Sequence, residues 1–172
     1  MFQISLTLTI PSSISDHPSN IPDSLVTLLK ENQGIILVTY NPIVLKNEER
    51  IALETITNNQ TQLTTHMKEQ MIEWQINNPS LRASIDSIVQ HIDRVKQLTN
   101  SCKYVGISSG FDHNTFVVKG AETSNNHMSV IAALLQKGYT DECIKNIIGL
   151  NMIRVFKEVE TVSATLSGKS QS

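Results

Sequence analysis

The residues best placed to do chemistry lie at one end of a short apolar run. Lys103-Tyr104-Val105-Gly106-Ile107-Ser108 alternates β-formers, and Ser109-Gly110-Phe111-Asp112-His113 follows as a polar turn carrying a carboxylate and an imidazole. A buried strand that opens into small residues and an acid is how α/β proteins place reactive groups at a strand's carboxyl end. An aspartate there acts as a general acid or base if it faces a pocket, and as a turn residue if it accepts from nearby backbone N–H groups. Both roles stay open for Asp112. His113 has no partner at metal-ligand spacing and reads as a loop histidine. Tyr40 and Asn41 end a second apolar run, so they either line a substrate pocket or pack the strand end.

The other reactive residue types fall into quieter patterns. His91 and Asp93 share a helical segment and read as structural hydrogen-bonding groups, while His17, before Pro18, braces a loop. His66 and His127 stand alone, and Met67, Met71 and Trp74 recur at near-helical spacing that suits packing. Cys102 and Cys143 fit neither a metal motif nor a disulfide framework and read as two free thiols. Spacing assembles no Ser/His/Asp set, and there is no phosphate-binding glycine loop.

These residues need strands and helices to hold them. Residues 4–10 alternate with period two and predict a strand that Pro11-Ser12-Ser13 ends. A helix is expected over 23–32, with Leu25, Leu28 and Leu29 on one face and Gly34 at its end. Residues 34–40 are almost continuously apolar, the mark of a strand buried on both faces of a parallel sheet. One or two exposed helices follow within 47–76, and another over 84–99 presents Ile85, Ile88, Val89, Ile92, Val95 and Leu98 on one face. After the strand at 103–108 come a polar loop over 109–126 and a helix over 127–137 capped by Gly138. A helix with Thr140 as N-cap follows, punctuated by Gly149, and the last helix covers 151–160. Strands alternating with helices predict βαβ units and an α/β fold with about three parallel strands covered by helices.

Composition narrows the function classes. At 172 residues, 40% of them hydrophobic and 17% charged, the chain suits one domain or a piece of a larger one with a real core. A net charge of −2 with no basic stripe argues against a nucleic-acid partner. The first ten residues lack the basic region of a signal peptide, no run is long enough to span a bilayer, and no hydrophobic anchor closes the sequence. The default expectation is therefore a cytoplasmic protein. Asn59-Gln60-Thr61 fits a glycosylation acceptor, a triplet common by chance.

Four segments, taken together and in order, resemble the membrane (renal) dipeptidase family of metallopeptidases. Val105-Gly106-Ile107-Ser108-Ser109-Gly110-Phe111-Asp112-His113 is similar to the family's Val-Gly-Ile/Phe-Gly-x-Asp-Phe-Asp-Gly. Asp16-His17-Pro18-Ser19-Asn20-Ile21-Pro22-Asp23 resembles Asp-His-Pro-Arg-Asn-Val-Pro-Asp. Pro79 to Val95, with His91-Ile92-Asp93, resembles a family segment that ends Asp-His-Ile-Asp-His-Ile. Leu134 to Glu142 and Gly149 to Phe156 look like its closing helices.

The resemblance implies a partial (β/α)8 barrel, its C-terminal portion, over residues 1–160. Insertion-type helices would occupy about 47–99, with a disordered polar tail at 161–172. The family is a zinc-dependent dipeptide hydrolase, and the strands carrying its His-x-Asp pair and bridging glutamate have no counterpart here. Within the window, Pro11 occupies the position of a family histidine ligand, Ser19 that of the arginine that grips the substrate carboxylate, and Gly110 that of the active-site aspartate. Proline offers zinc no side-chain donor, and serine makes no bidentate pair with a carboxylate. The resemblance therefore implies no intact catalytic residue and no metal ligand or cofactor for this chain alone. Tyr40, Asn41 and Asp112 would line what remains of a substrate pocket. A chain with open sheet edges is expected to pair with itself or with a complementary dipeptidase chain.

Overall fold

The computed structural model describes residues 5–7, 10–60, 62–111, 116 and 118–169. Three parallel strands form one sheet in the order β1 (Ser5–Thr7), β2 (Ile35–Thr39), β3 (Val105–Ser108). The register pairs Ser5 with Ile35, Ile36 with Val105 and Thr39 with Ser108. All five residues of β2 are buried, so both faces of the central strand are covered, as its unbroken apolar run requires.

Alternation along β2 divides the core. Ile36 and Val38 join the main cluster with Ile88, Ile92, Val95, Leu134 and Ile147, while Ile35 and Leu37 face the other way onto Val155. Gly106 sits beside Leu37 in the register, and a Cβ there would lie 2.7 Å from Leu37 Cδ2. A side chain there would require the end of Leu37 to shift.

Between β1 and β2 lie α1 (Asp23–Thr27) and α2 (Leu29–Asn32). The expected single helix is broken at Leu28, and the buried pair is Val26 and Leu29, with Leu25 and Leu28 exposed. A three-residue step puts Val26 and Leu29 on the sheet side and turns the other two leucines to solvent. Gln33, in the left-handed region at φ 57°, ends α2 one residue before Gly34.

After β2 come α3 (Pro42–Leu45), α4 (Asn47–Thr57) and α5 (Thr65–Asn77). Helix α6 (Ile85–Thr99) then leads back to β3. It starts at a capping box between Ser84 and Ser87 and buries Ile88, Val89, Ile92 and Val95 as its sequence period predicts. A salt bridge from Arg94 to Asp23 ties α6 to α1.

The closing unit is α7 (His127–Gln136), α8 (Asp141–Lys145), a π turn over Asn146–Leu150 and α9 (Asn151–Lys169). Gly149 does not interrupt the helix; it lies inside the π turn that joins α8 to α9. α9 runs nine residues past Glu160, so the tail expected to be disordered from 161 is helical through Lys169. Residues 170–172 lie outside the described set.

Arg154 fixes α9 beneath the sheet. Its guanidinium donates to the carbonyls of Gln33 at 2.6 Å, Lys103 at 3.1 Å and Gly34 at 3.3 Å, at the entrances of β2 and β3. Asn151 Nδ2 adds bonds to the carbonyls of Cys102 at 2.6 Å and Val105 at 2.8 Å. Cys102 and Cys143, expected as free thiols, are joined as a disulfide with Cα atoms 5.6 Å apart. Their 41-residue separation hides the contact, which arises only once α8 folds against the turn before β3. Among the described residues, no helix is long and apolar enough to cross a membrane.

Candidate functional site

With α9 under the strand entrances, the loops at the carboxyl ends of β2 and β3 share the opposite end of the sheet. This is where α/β folds hold their ligands. Tyr40 carries the ladder one residue past β2, its N–H donating to Ser108 O at 3.2 Å. Its side chain is fully buried, and its hydroxyl lies 2.9 Å from Nδ1 of His127 at the start of α7. Phe111 completes an aromatic triangle, its ring 6.1 Å from Tyr40 and 6.2 Å from His127. Burial pushes the Tyr40 phenol above its ordinary range, so it keeps its proton. The sequence treats His127 as isolated; the fold gives it a buried partner.

A cavity of about 480 Å³ opens beside this triangle, lined by Ile107, Ser108, Ser109, His127, Ile131 and Ile148. Its lining combines two serines and a histidine with three isoleucines. A second, polar cleft of about 800 Å³ lies by the start of α6, and its lining includes Lys46, Arg82, Lys119, Glu48 and Asp86. Lys46 Nζ is already engaged there, donating to the carbonyls of Ser80 at 2.9 Å and Arg82 at 3.3 Å.

The remaining candidates have structural partners. Asn41 caps α3, its Oδ1 accepting from Ile43 N at 3.1 Å. Ser19 donates its backbone N–H to His17 Nδ1 at 3.1 Å, so His17 braces the turn as expected. Burial, with the Arg50 guanidinium second, holds His17 below the usual imidazole range. Pro11 sits in a bridge with Ile21, where Ser12 N donates to Ile21 O at 2.8 Å. Gly110 is left-handed at φ 61°, a conformation that favours glycine. Asp112 and His113 lie outside the described residues.

His91 and Asp93 take the structural roles their helix suggests. His91 is fully buried, with Nε2 3.2 Å from Leu45 O, and burial drives its pKa down to about 4. It therefore stays neutral and donates through Nε2. Asp93 accepts from Tyr139 Oη at 2.5 Å and Lys137 Nζ at 3.0 Å, fastening α6 to the turn after α7.

A buried carboxylate escaped the sequence reading. Glu49 accepts from Ala83 N at 2.5 Å and Gln75 Nε2 at 2.8 Å, joining α4, α5 and the entry to α6. Only its position on the inner side of α4, opposite the exposed Ile51, marks it out. Among the described residues, no three His, Cys, Asp or Glu side chains group to hold a metal ion.

Comparison with known proteins gives these features a context. The sequence profile described as membrane dipeptidase (peptidase family M19) matches residues 4–170. Dipeptidase tcpJ of Claviceps purpurea is 28% identical over 152 residues, 88% of this chain and 28% of the relative. Dipeptidase verJ of Clonostachys rogersoniana is 30% identical over 153 residues, 88% of this chain and 30% of the relative. Among solved structures, the probable dipeptidase PvdM from Pseudomonas aeruginosa superposes with a TM-score of 0.67 at 21% identity, over 89% of this chain and 44% of that one. A Rhodobacter sphaeroides metallo peptidase, liganded with a phosphinate mimic of the dipeptide L-Ala-D-Ala, gives 0.60 at 14% identity, over 89% and 34%. The structural likeness is one of fold, and the chain spans less than a third of the length of these curated relatives. A family match over nearly the whole sequence, on a parallel sheet with its loops gathered at the strand carboxyl ends, places this chain in the membrane dipeptidase family, peptidase family M19.

Proposed function

We propose that this chain forms the C-terminal portion of a metallodipeptidase (β/α)8 barrel and does not hydrolyse dipeptides by itself. The observation that carries this is the donor set: Pro11, Ser19 and Gly110 stand where the family has a histidine, an arginine and an aspartate. None offers zinc a donor of the imidazole or carboxylate type, and none forms a bidentate pair with a substrate carboxylate. Gly110 is left-handed, so a side chain there meets backbone resistance as well. The residues present do not fit the family's zinc pair. Without it, neither the lowered water pKa nor carbonyl polarisation is supplied by these strands.

The chain contributes a scaffold: three strand ends and their loops on one side of a barrel, awaiting strands that bring the metal ligands. Exposed Ile153, Phe156 and Val159 on α9 and the edge strand β3 support a second reading, an interaction module that pairs with a fuller dipeptidase or with itself. Both readings are tested by incubating the purified chain with zinc and L-Ala-D-Ala while its mass in solution is measured. No metal-dependent turnover, together with self-association, is the expected result. Turnover by this chain alone contradicts the scaffold reading, and a strictly monomeric, cooperatively melting protein contradicts the pairing one.

A further inference from the structure

We propose that Asn59, in the exposed turn that closes α4, carries an N-linked oligosaccharide, added in the same oxidising compartment that closes the Cys102–Cys143 bridge. The proposal goes beyond the dipeptidase reading and uses none of the strand-end residues.

The acceptor pattern is in the sequence. Asn59-Gln60-Thr61 is an Asn-x-Ser/Thr triplet without proline in the middle, and the triplet by itself decides nothing. Position in the fold separates an acceptor from a chance match, because a bulky, hydrated glycan must end on the surface. Asn58, Asn59 and Gln60 are all exposed. Buried asparagines in this chain are engaged otherwise. Asn20 Nδ2 donates to the carbonyls of Ser15 at 2.8 Å and Val44 at 3.0 Å, and Asn151 Nδ2 to those of Cys102 and Val105. Thr61 lies outside the described residues, and its part here is its identity in the triplet.

Backbone bonds hold the turn. Asn58 N–H donates to Thr55 O at 3.3 Å and Asn59 N–H to Glu54 O at 3.1 Å, the two bonds of a Schellman helix ending. Gln60 N–H adds a bond to Thr57 O at 3.0 Å. Asn58 and Asn59 are left-handed, at φ 50° and 57°, a conformation that asparagine tolerates. These bonds order the turn through the main chain, so a glycan on the Asn59 side chain leaves them in place.

The bridge supplies the compartment. Both cysteines of the chain are joined to each other, with Cα atoms at an ordinary disulfide span of 5.6 Å. Disulfides form and persist in oxidising compartments and are rare in the cytosol. The secretory lumen is such a compartment, and it is where asparagine is glycosylated. The donor is a lipid-linked oligosaccharide diphosphate. Its anomeric C1–O bond to phosphate breaks as a C1–Nδ2 bond forms on Asn59. The amide gives up one proton, and the lipid diphosphate leaves.

The test is made on the chain isolated from the cells that naturally make it. The mass of the peptide containing Asn59 is measured before and after peptide-N-glycosidase F. A peptide heavier than its sequence by an oligosaccharide is expected, returned by the enzyme to the sequence mass with aspartate at position 59. The Cys102–Cys143 bridge should be intact in the same sample. Expressed in those cells, Asn59→Gln should lose the added mass. Should that variant fold poorly, Thr61→Ala leaves Asn59 in place and should lose it too, while Thr61→Ser keeps it. An unmodified peptide, added mass that the enzyme does not remove, added mass that survives Thr61→Ala, or free thiols at Cys102 and Cys143 overturns the proposal.

Discussion

The Tyr40 hydroxyl meets Nδ1 of His127 at 2.9 Å across 87 residues of sequence. The contact joins the end of the central strand to the first turn of α7, and so couples the sheet to the closing helical unit. Tyr40→Phe removes one buried hydrogen bond and leaves an imidazole nitrogen without its donor. A loss of about 1–2 kcal/mol is expected in urea unfolding at neutral pH. An unchanged midpoint would show that the bond adds no net stability.

Arg154 holds the opposite end. Its guanidinium reaches three backbone carbonyls at the entrances of β2 and β3. Arg154→Ala leaves those acceptors with water or nothing, so a destabilisation of about 2–3 kcal/mol is expected. Arg154→Lys should recover little of it, because a single ammonium cannot span the fork. Denaturant midpoints of the two variants check this, and full recovery by lysine would contradict the fork geometry.

His91 makes stability depend on acidity. Burial lowers its folded pKa from 6.5 to about 4, so protonation opposes folding. The sign follows from linkage: the contribution is fully present above pH 6.5 and is lost as pH falls from there toward 4. Its size is at most about 3 kcal/mol, from the energy of each pKa unit. His91→Gln keeps a donor for Leu45 O without a titrating group. Its stability should flatten across that window relative to the parent, and parallel pH profiles for the two proteins would count against a buried neutral histidine.

The disulfide is the most direct chemical handle on the fold. Cys102 and Cys143 close a loop of 41 residues, and chain-entropy arguments assign such a closure about 4 kcal/mol. Reduction should lower the melting temperature. The double variant Cys102→Ser, Cys143→Ser should melt like the reduced protein and be insensitive to reductant. Thiol titration of the unfolded, unreduced chain should find no free cysteine; two free thiols would remove the bond altogether.

Much of the scaffold is legible in the sequence, because local signals and tertiary needs agree there. The continuous apolar run at 34–40 is a covered strand, and the period of Ile88, Val89, Ile92 and Val95 gives α6 its buried face. Thr140 is the N-cap its position suggests, accepting from Cys143 N at 3.2 Å. Local signals mislead where tertiary packing decides. Leu25 and Leu28 look like core residues, yet a break at Leu28 turns the helix and buries Val26 in their place. The polar residues after Glu160 look like a tail, but Val155 seats the start of α9 on Ile35 and Leu37, and the helix continues through Lys169. The pairings of Tyr40 with His127 and of Cys102 with Cys143 could not be found by spacing, since each is made only by the folded topology. Tyr40 and Asn41 do lie at the strand end assigned to them, one buried against His127 and the other capping α3.

On the proposed reading, these strands lack the groups that hold zinc and activate water. This is tested by dialysing the purified chain against zinc, measuring bound metal per chain, and assaying release of D-alanine from L-Ala-D-Ala by the same sample. Substoichiometric zinc and no release above the metal-only control are expected. Two zinc ions per chain with turnover that a chelator abolishes would contradict it.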